Sequence, residues 1–271
     1  MLGAIVGDTI GSVFEWHNIK TTEFPLFTEG STFTDDTVMT VAVAHALLDY
    51  YNGTSISTTG LVRKMQSYGR KYSDAGFGGR FRRWIKSPYP KPYNSFGNGS
   101  AMRVSPVAWV SDDLSHVEDL AKQTAQVTHD HPEGIKGAQA TAACILMARL
   151  GASNSEIRDY VEERYEYYLG FNLDDIRPLY DFDVSCQGSV PQAIVAFLES
   201  SNFEDAIRLA VSIGGDSDTI AAIAGSIAQA RYGIPDSIAE ETEKRLTSHL
   251  KSIVDLFCQR FGVPSATPEL V

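Results

Sequence analysis

Apolar residues recur at three- and four-residue spacing along nearly the whole chain, and convincing alternation of period two is missing. Ile220, Ile223, Ala224 and Ile227 form one such stripe. Ala206, Leu209, Ala210 and Ile213 form a second, and Leu246, Leu250, Ile253, Phe257 and Phe261 a third. This is the rhythm of helices burying one face. Start signals precede several stripes: Ser153-Asn154-Ser155-Glu156, Asn202-Phe203-Glu204-Asp205 and Pro235-Asp236. Gly151, Gly170 and Gly233 stand where helices are expected to end. Loops are expected at residues 21–31, 87–97 and 171–188, none with the composition of a linker. The reading is one all-α domain over residues 1–271, built from roughly a dozen helices.

Two acidic helix starts lie far apart in this chain. Thr34-Asp35-Asp36-Thr37 and Asp216-Ser217-Asp218-Thr219 each open an Ala-rich apolar stretch. Either cluster alone is explained by helix capping, which needs a single oxygen acceptor. Each, however, has two carboxylates flanked by hydroxyls, and Gly214-Gly215 before the second lets the backbone bend tightly. If the fold joins them, four carboxylates share one pocket. Like charges about 4 Å apart repel by roughly 4 kcal/mol per pair at an effective dielectric of 20. Such a pocket requires protons or cations, and two divalent ions cancel the formal charge. An all-oxygen donor set suits Mg²⁺, Mn²⁺ or Ca²⁺, although helix N-termini by themselves favour anions.

Small residues recur every fourth position in Gly3-Ala4-Ile5-Val6-Gly7-Asp8-Thr9-Ile10-Gly11, a pattern for close helix packing and not a dinucleotide fingerprint. Asp8 and Glu15, seven apart, share one face of that helix, with Glu15 near its end as a candidate general base. Gly97-Asn98-Gly99-Ser100-Ala101-Met102-Arg103 reads as a turn feeding a helix, whose N–H groups form an anion nest. In Thr128-His129-Asp130-His131-Pro132 the proline suits the first helical position, leaving His129 free to stack or hydrogen-bond.

The net charge of −11 disfavours non-specific nucleic-acid binding by the molecule as a whole. Residues 63–103, however, hold ten Lys or Arg against one acid, Asp74, so the segment is +9 and the remainder −20. Aromatic residues are interleaved with these cations. One reading is a solvated helix face with ordinary core aromatics; the other is an anion-receiving surface that extends to a phosphorylated or nucleic-acid acceptor. Three scattered cysteines and an N-terminus without a basic leader region point to a reducing, cytoplasmic setting, and no apolar run is long enough to span a membrane.

Five motifs in order, GAIVGDTIGS, FTDDTVMT, GNGSAMR, THDHP with GIKGAQATA, and IGGDSDTIAAIAGSIAQA, together resemble the ADP-ribosylglycohydrolase family, which includes the dinitrogenase reductase-activating glycohydrolase. The resemblance runs from Gly3 to about Gly233. It implies a compact orthogonal all-α fold around a binuclear Mg²⁺ or Mn²⁺ centre, and hydrolysis of the bond between ADP-ribose and a modified acceptor. It places metal ligands at Thr34, Asp35, Asp36, Asp216, Asp218 and Thr219. Glu15 falls at the position of a catalytic glutamate, and Asp36 is the alternative proton acceptor. Gly97, Asn98, Gly99, Ser100 and Met102 match the diphosphate loop, and His129 the adenosine side. Asp74 joins these as a substrate-binding candidate. The second cluster reads DSDT where threonine is common between the two aspartates, a position expected to point away from the ions. The acceptor, whether protein side chain, nucleobase or small molecule, stays open. The competing reading is a binding or structural member that has lost turnover. An unrelated helical carboxylate hydrolase would bring His or Glu ligands at helical spacing, which are missing here.

Overall fold

The glycine stripe at the N-terminus finds its partner near the other end of the chain. In the computed structural model, which describes residues 1–264, helix α1 (Leu2–Gly11) is buried along all ten residues. Its glycine face lies on α11 (Ser217–Tyr232). A Cβ at Gly3 would stand 2.2 Å from the Gly225 carbonyl oxygen, one at Gly7 2.0 Å from that of Ala221, and one at Gly11 2.5 Å from Cα of Asp218. Backbone touches backbone along the whole helix, an approach that any side chain would prevent.

The other helices form shells around this pair. Helix α2 (Asp35–Tyr50) packs on α1, on α3 (Thr58–Lys71) and on the late helix α13 (Ser248–Phe261). The short α4 (Gly79–Lys86) rests on α3 through Phe81, Trp84 and Ile85. Helices α5 (Leu114–Gln126), α6 (Pro132–Arg149) and α7 (Asn154–Tyr165) follow as antiparallel neighbours. After the single turn α8 (Leu173–Ile176), helices α9 (Cys186–Glu199) and α10 (Phe203–Ser212) close over α11, and α12 (Asp236–Glu243) touches α1. One apolar core runs from Met1 to Val263. Among the described residues there is no strand, only the bridges Tyr51–Ile56 and Gly97–Ser185. Nor is any helix among the described residues long and apolar enough to cross a membrane.

The expected capping signals fold as local chemistry dictates. Ser153 and Glu156 make a reciprocal capping box on α7, Asn202 caps α10, and Pro132 opens α6 behind a His131 cap. Gly151 and Gly233 terminate helices at positive φ, 85° and 76°. Three expectations are corrected. Gly170 ends nothing: α7 stops at Tyr165, with Glu166 itself left-handed. Residues 97–103 feed no α-helix but two 3₁₀ turns, Asn98–Ser100 and Ser105–Trp109. Glu15 lies beyond α1, which ends at Gly11, so it sits in a turn rather than on the helix face of Asp8.

Candidate metal and ligand site

Asp8 is fully buried in α1, and a buried carboxylate needs partners. It receives them from the start of α2. The Thr34 N–H donates to Oδ2 at 2.9 Å and the Thr34 hydroxyl to Oδ1 at 2.7 Å. The Thr37 N–H donates to Oδ2 at 3.0 Å, and the Thr37 hydroxyl binds the same oxygen. Asp8 therefore satisfies the open N–H groups of α2 and fixes that helix start against α1. Because α1 also lies on α11, the two distant acidic clusters meet. Carboxylate oxygens of Asp8, Asp36 and Asp218 fall within 4.8 Å of one another, as do those of Glu15, Asp216 and Asp218.

Sharp backbone turns aim the second cluster. Gly214 and Gly215 both take positive φ, 71° and 73°, and a Cβ on Gly215 would stand 2.3 Å from the Tyr180 ring. Asn18 clamps this bend, accepting from the Gly215 N–H at 2.7 Å and donating to its carbonyl at 3.0 Å. Lys20 donates to the carbonyls of Ile213 and Tyr180. Ser217 turns away toward the Gly11 carbonyl, 3.4 Å off.

Burial raises the carboxyls of Asp8, Asp35, Asp36 and Asp218 above their usual range. For Asp36 the charges of Asp218, Asp8 and Asp35 add to it; for Asp8 the four threonine hydrogen bonds oppose it. Asp216 is pushed by burial to about 6, restrained by hydrogen bonds from Asp218 and from Asn98, whose amide donates at 2.6 Å. Glu15, half-buried, is raised to about 7 by burial and then by the Asp218 charge, against a hydrogen bond from Trp16. Asp36 Oδ1 is buried without any hydrogen-bond partner, while Oδ2 accepts from the Thr219 hydroxyl at 3.2 Å. Clustered acids whose charged forms are disfavoured, and an orphaned buried oxygen among them, are what a cation site looks like before its ion is considered. The donors are all oxygens, so the residues fit a hard divalent ion.

Glu15, Asp35, Asp36, Asp216 and Asp218, but not Asp8, line one part of a cavity of about 420 Å³. Gly97, Asn98, Gly99, Met102 and His129 line it further along, with Tyr93, Arg80, Arg103 and the Gly76–Gly79 stretch. His129 is buried, and that burial, with Arg103 close by, keeps its imidazole neutral. The Thr128 hydroxyl accepts from Arg103 at 2.8 Å and meets His129 Nδ1 at 2.7 Å. The same hydroxyl also reaches the Ala125 carbonyl at 3.5 Å, and His129 Nε2 is the ring atom beside Gly97 and Gly99. Trp16 and Phe182 stack at the mouth, centroids 5.2 Å apart.

The sequence-derived candidates distribute unevenly over this geometry. Asp36, Asp216 and Asp218 enter the oxygen clusters, with Glu15 beside them and Thr219 bonded to Asp36. Asp35 lines the cavity under Gly76 but belongs to neither trio, and the Thr34 hydroxyl is committed to Asp8. Ser100 is turned away, donating to the Gly134 carbonyl at 2.6 Å, so it braces the turn without facing the cavity. Asp74 is exposed and outside the cavity wall, because the chain bends back into the site only at Gly76. Asp8 is the residue that sequence reasoning undervalued. A lone charge inside an otherwise apolar helix was the available signal.

Comparison with known proteins finds likeness along nearly the whole chain. The profile of the family described as ADP-ribosylglycohydrolase matches residues 1–266. The chain is 26% identical to the ADP-ribosylhydrolase ARH3 of Mus musculus, across 90% of this chain and 86% of that protein. It is also 26% identical to the ADP-ribosylarginine hydrolase Tri1 of Pseudomonas putida, across 90% and 72%. Among solved structures, an ADP-ribosylglycohydrolase-related protein complex superposes with a TM-score of 0.73 over 97% of both chains at 22% identity, which establishes the shared fold.

Proposed function

This chain belongs to the ADP-ribosylglycohydrolase family, and on that footing we propose that it is a divalent-metal-dependent hydrolase releasing ADP-ribose from a modified acceptor. The observation that carries the reading is the buried carboxylate cluster with its unpartnered Asp36 oxygen, set beside a cavity large enough for a nucleotide-sized ligand. Asp8, Asp36, Asp216, Asp218 and Thr219 would hold the ions, with Asp35 and Thr34 adjoining. Bound there, a Mg²⁺ or Mn²⁺ pair supplies charge neutralisation and orientation of the distal ribose hydroxyls.

The remaining roles belong to the chain itself. The N–H groups of Gly97 and Asn98 are taken by Ser95 Oγ at 3.2 Å and the Val184 carbonyl at 2.8 Å, which leaves the Gly99 N–H of this turn to meet the diphosphate. Tyr93 and His129, ring centroids 6.0 Å apart, form the wall for adenine. Glu15, raised to about 7, is poised to accept a proton from the attacking water, with Asp36 as the alternative acceptor. Water oxygen bonds to C1″ through an oxocarbenium-like state, as in other glycoside hydrolyses. The electron pair of the broken C1″–acceptor bond leaves with the acceptor, which takes up the proton released from water.

The test is release of free ADP-ribose from arginine-, serine- and nucleobase-linked conjugates with Mg²⁺, Mn²⁺ or EDTA, alongside a variant lacking both Asp35 and Asp218. Metal-dependent release from one linkage, abolished in the variant, is expected and names the acceptor. Turnover retained by the variant would sink the metal reading. Silence across the panel with ADP-ribose still binding would move the protein to the non-catalytic reading. Cytoplasmic location and a macromolecular or small-molecule acceptor belong to the same proposal.

A further inference from the structure

The fate of the ten cations between residues 63 and 103 is uneven. Lys64 pairs with Asp49 at 2.6 Å, Arg70 donates to the Ile85 carbonyl, and Arg103 is buried against Thr124 and Thr128. Those three are structural. Arg80, Arg82, Arg83, Lys86 and Lys91 are exposed, and none has an acidic partner within salt-bridge distance among the described residues. Three of them converge. Arg80 and Arg83, one turn apart on α4, face Lys91 across a hollow of about 250 Å³, which Trp84, Ser87, Pro90 and Tyr93 complete. No carboxylate lines it.

This hollow adjoins the ligand cavity. Arg80 and Tyr93 line both, and the Arg80 guanidinium lies 5.7 Å from the Tyr93 ring centroid. The charges of Arg103 and Arg80 both bear on Tyr93, and all three residues line the main cavity, so cations collect at this part of its wall. We propose that the hollow is a second anion subsite, taking a phosphate ester carried on the adenosine ribose of a bound ADP-ribose. The ligand in view is ADP-ribose 2′-phosphate; the next unit of an ADP-ribose chain is joined there by a ribose–ribose glycosidic bond, with its diphosphate further out, and is a separate arm of the test. The proposal rests on the ADP-ribose reading of the main cavity. A long polynucleotide suits the surface less well, because the basic patch is confined and the rest of the chain carries −20.

Equilibrium binding of ADP-ribose, ADP-ribose 2′-phosphate and a two-unit ADP-ribose chain tests it, on the wild-type protein. The 2′-phosphate is expected to bind about tenfold tighter than ADP-ribose at low salt, through charge-assisted hydrogen bonds. The advantage should shrink as salt rises, because these cations are exposed. The double variant Arg83→Glu/Lys91→Glu should lose it while keeping the wild-type affinity for ADP-ribose. The milder Arg83→Ala/Lys91→Ala should lose part of it, and thermal melts report whether either variant is folded. A tighter-binding two-unit chain with no gain from the 2′-phosphate would overturn the phosphate-ester proposal and reassign the hollow to the diphosphate of a chain. Equal affinities for all three ligands, or an advantage that survives charge reversal, would overturn the proposal and leave the main cavity intact. No binding of ADP-ribose at all would overturn the reading of that cavity and this subsite with it. A single-stranded oligonucleotide that displaced the 2′-phosphate ligand from the patch at equal concentration would reassign the surface to nucleic acid.

Discussion

Replacing Gly7 by alanine adds one methyl group at the contact between α1 and α11. Its carbon would stand 2.0 Å from the Ala221 carbonyl oxygen, 2.3 Å from the carbonyl carbon and 2.6 Å from the Ala222 nitrogen. All three are backbone atoms, so no rotamer change relieves them. Ordinary contact begins near 3.4 Å, and moving from 2.0 to 3.4 Å requires the helices to part by about 1.4 Å. Helix propensity alone favours alanine by about 1 kcal/mol. Overpacking typically costs about 1–3 kcal/mol, and rigid backbone on both sides places this case at or above the upper end. A net loss of about 2 kcal/mol lowers the melting temperature of a chain this size by roughly 4–8 °C.

The effect on the site should exceed the effect on the fold. Asp8 follows Gly7, and its bonds from the Thr34 N–H, the Thr34 hydroxyl and the Thr37 N–H span 2.7–3.0 Å, so a 1.4 Å retreat breaks them and separates Asp8 from Asp36 and Asp218. Misplacement of about 1 Å can cost some 100-fold in rate. The assay is ADP-ribose release well below the melting point, paired with a thermal melt. Gly30→Ala serves as control, since its Cβ meets only side-chain atoms at ordinary contact, Val13 at 3.4 Å and Thr28 at 3.7 Å, in an exposed loop. A Gly7→Ala protein with wild-type melting and turnover would refute the claim that the glycine face sets the carboxylate geometry.

The other expectations concern protons. The raised carboxyls of Asp8, Asp35, Asp36, Asp216, Asp218 and Glu15 make the ion-free folded state bind more protons than the unfolded chain. Their contribution to stability is therefore present in acid and lost as pH rises, from the ordinary 3.8 through about 6 for Asp216 and from 4.5 through about 7 for Glu15. Thermal melts with Mn²⁺ and with EDTA should diverge steadily across that window, the gain from metal growing with pH; a gain independent of pH would contradict the assigned shifts. Glu15→Gln should reduce turnover by roughly 10²- to 10⁴-fold while ADP-ribose binding stays within a few-fold. Parallel losses in both would remove Glu15 from the role of base.

Signals that act within a few residues were legible in the sequence. The Ser153 capping box, the Asn202 cap and Pro132 at a first helical position depend on neighbouring backbone alone, and each forms as its local chemistry requires. The two acidic clusters were also legible, since four flanking carboxylates exceed what capping uses. What the sequence withheld was partnership. The GAIVGDTIG stripe announced a close contact but not that α11 supplies it. The run of cations announced a basic segment, yet nothing local separates Arg103, interior to the fold, from Arg83, which faces solvent. Glu15 was placed on a helix because a spacing of seven suits one; Gly11 ends that helix, and the turn after it delivers Glu15 to Asp218 by another route.

The position of Asp8 explains how so many like charges are held together. Charged pairs about 4 Å apart repel by roughly 4 kcal/mol at an effective dielectric of 20, so without protons or ions the helix starts of α2 and α11 would separate. They cannot do so independently, because α1 is bound to both. Its glycine face is locked to the backbone of α11, and its single carboxylate is locked to the N–H and hydroxyl groups of Thr34 and Thr37. Asp8 thus holds in place the repulsion to which it contributes. Removing its charge with Asp8→Asn would lower that repulsion but also place an amide N–H₂ where four donors now converge. The loss of those acceptor contacts outweighs the relief, since each buried donor left unpaired costs about 1–3 kcal/mol. The carboxylate at position 8 is therefore a structural requirement of the site before it is a chemical one.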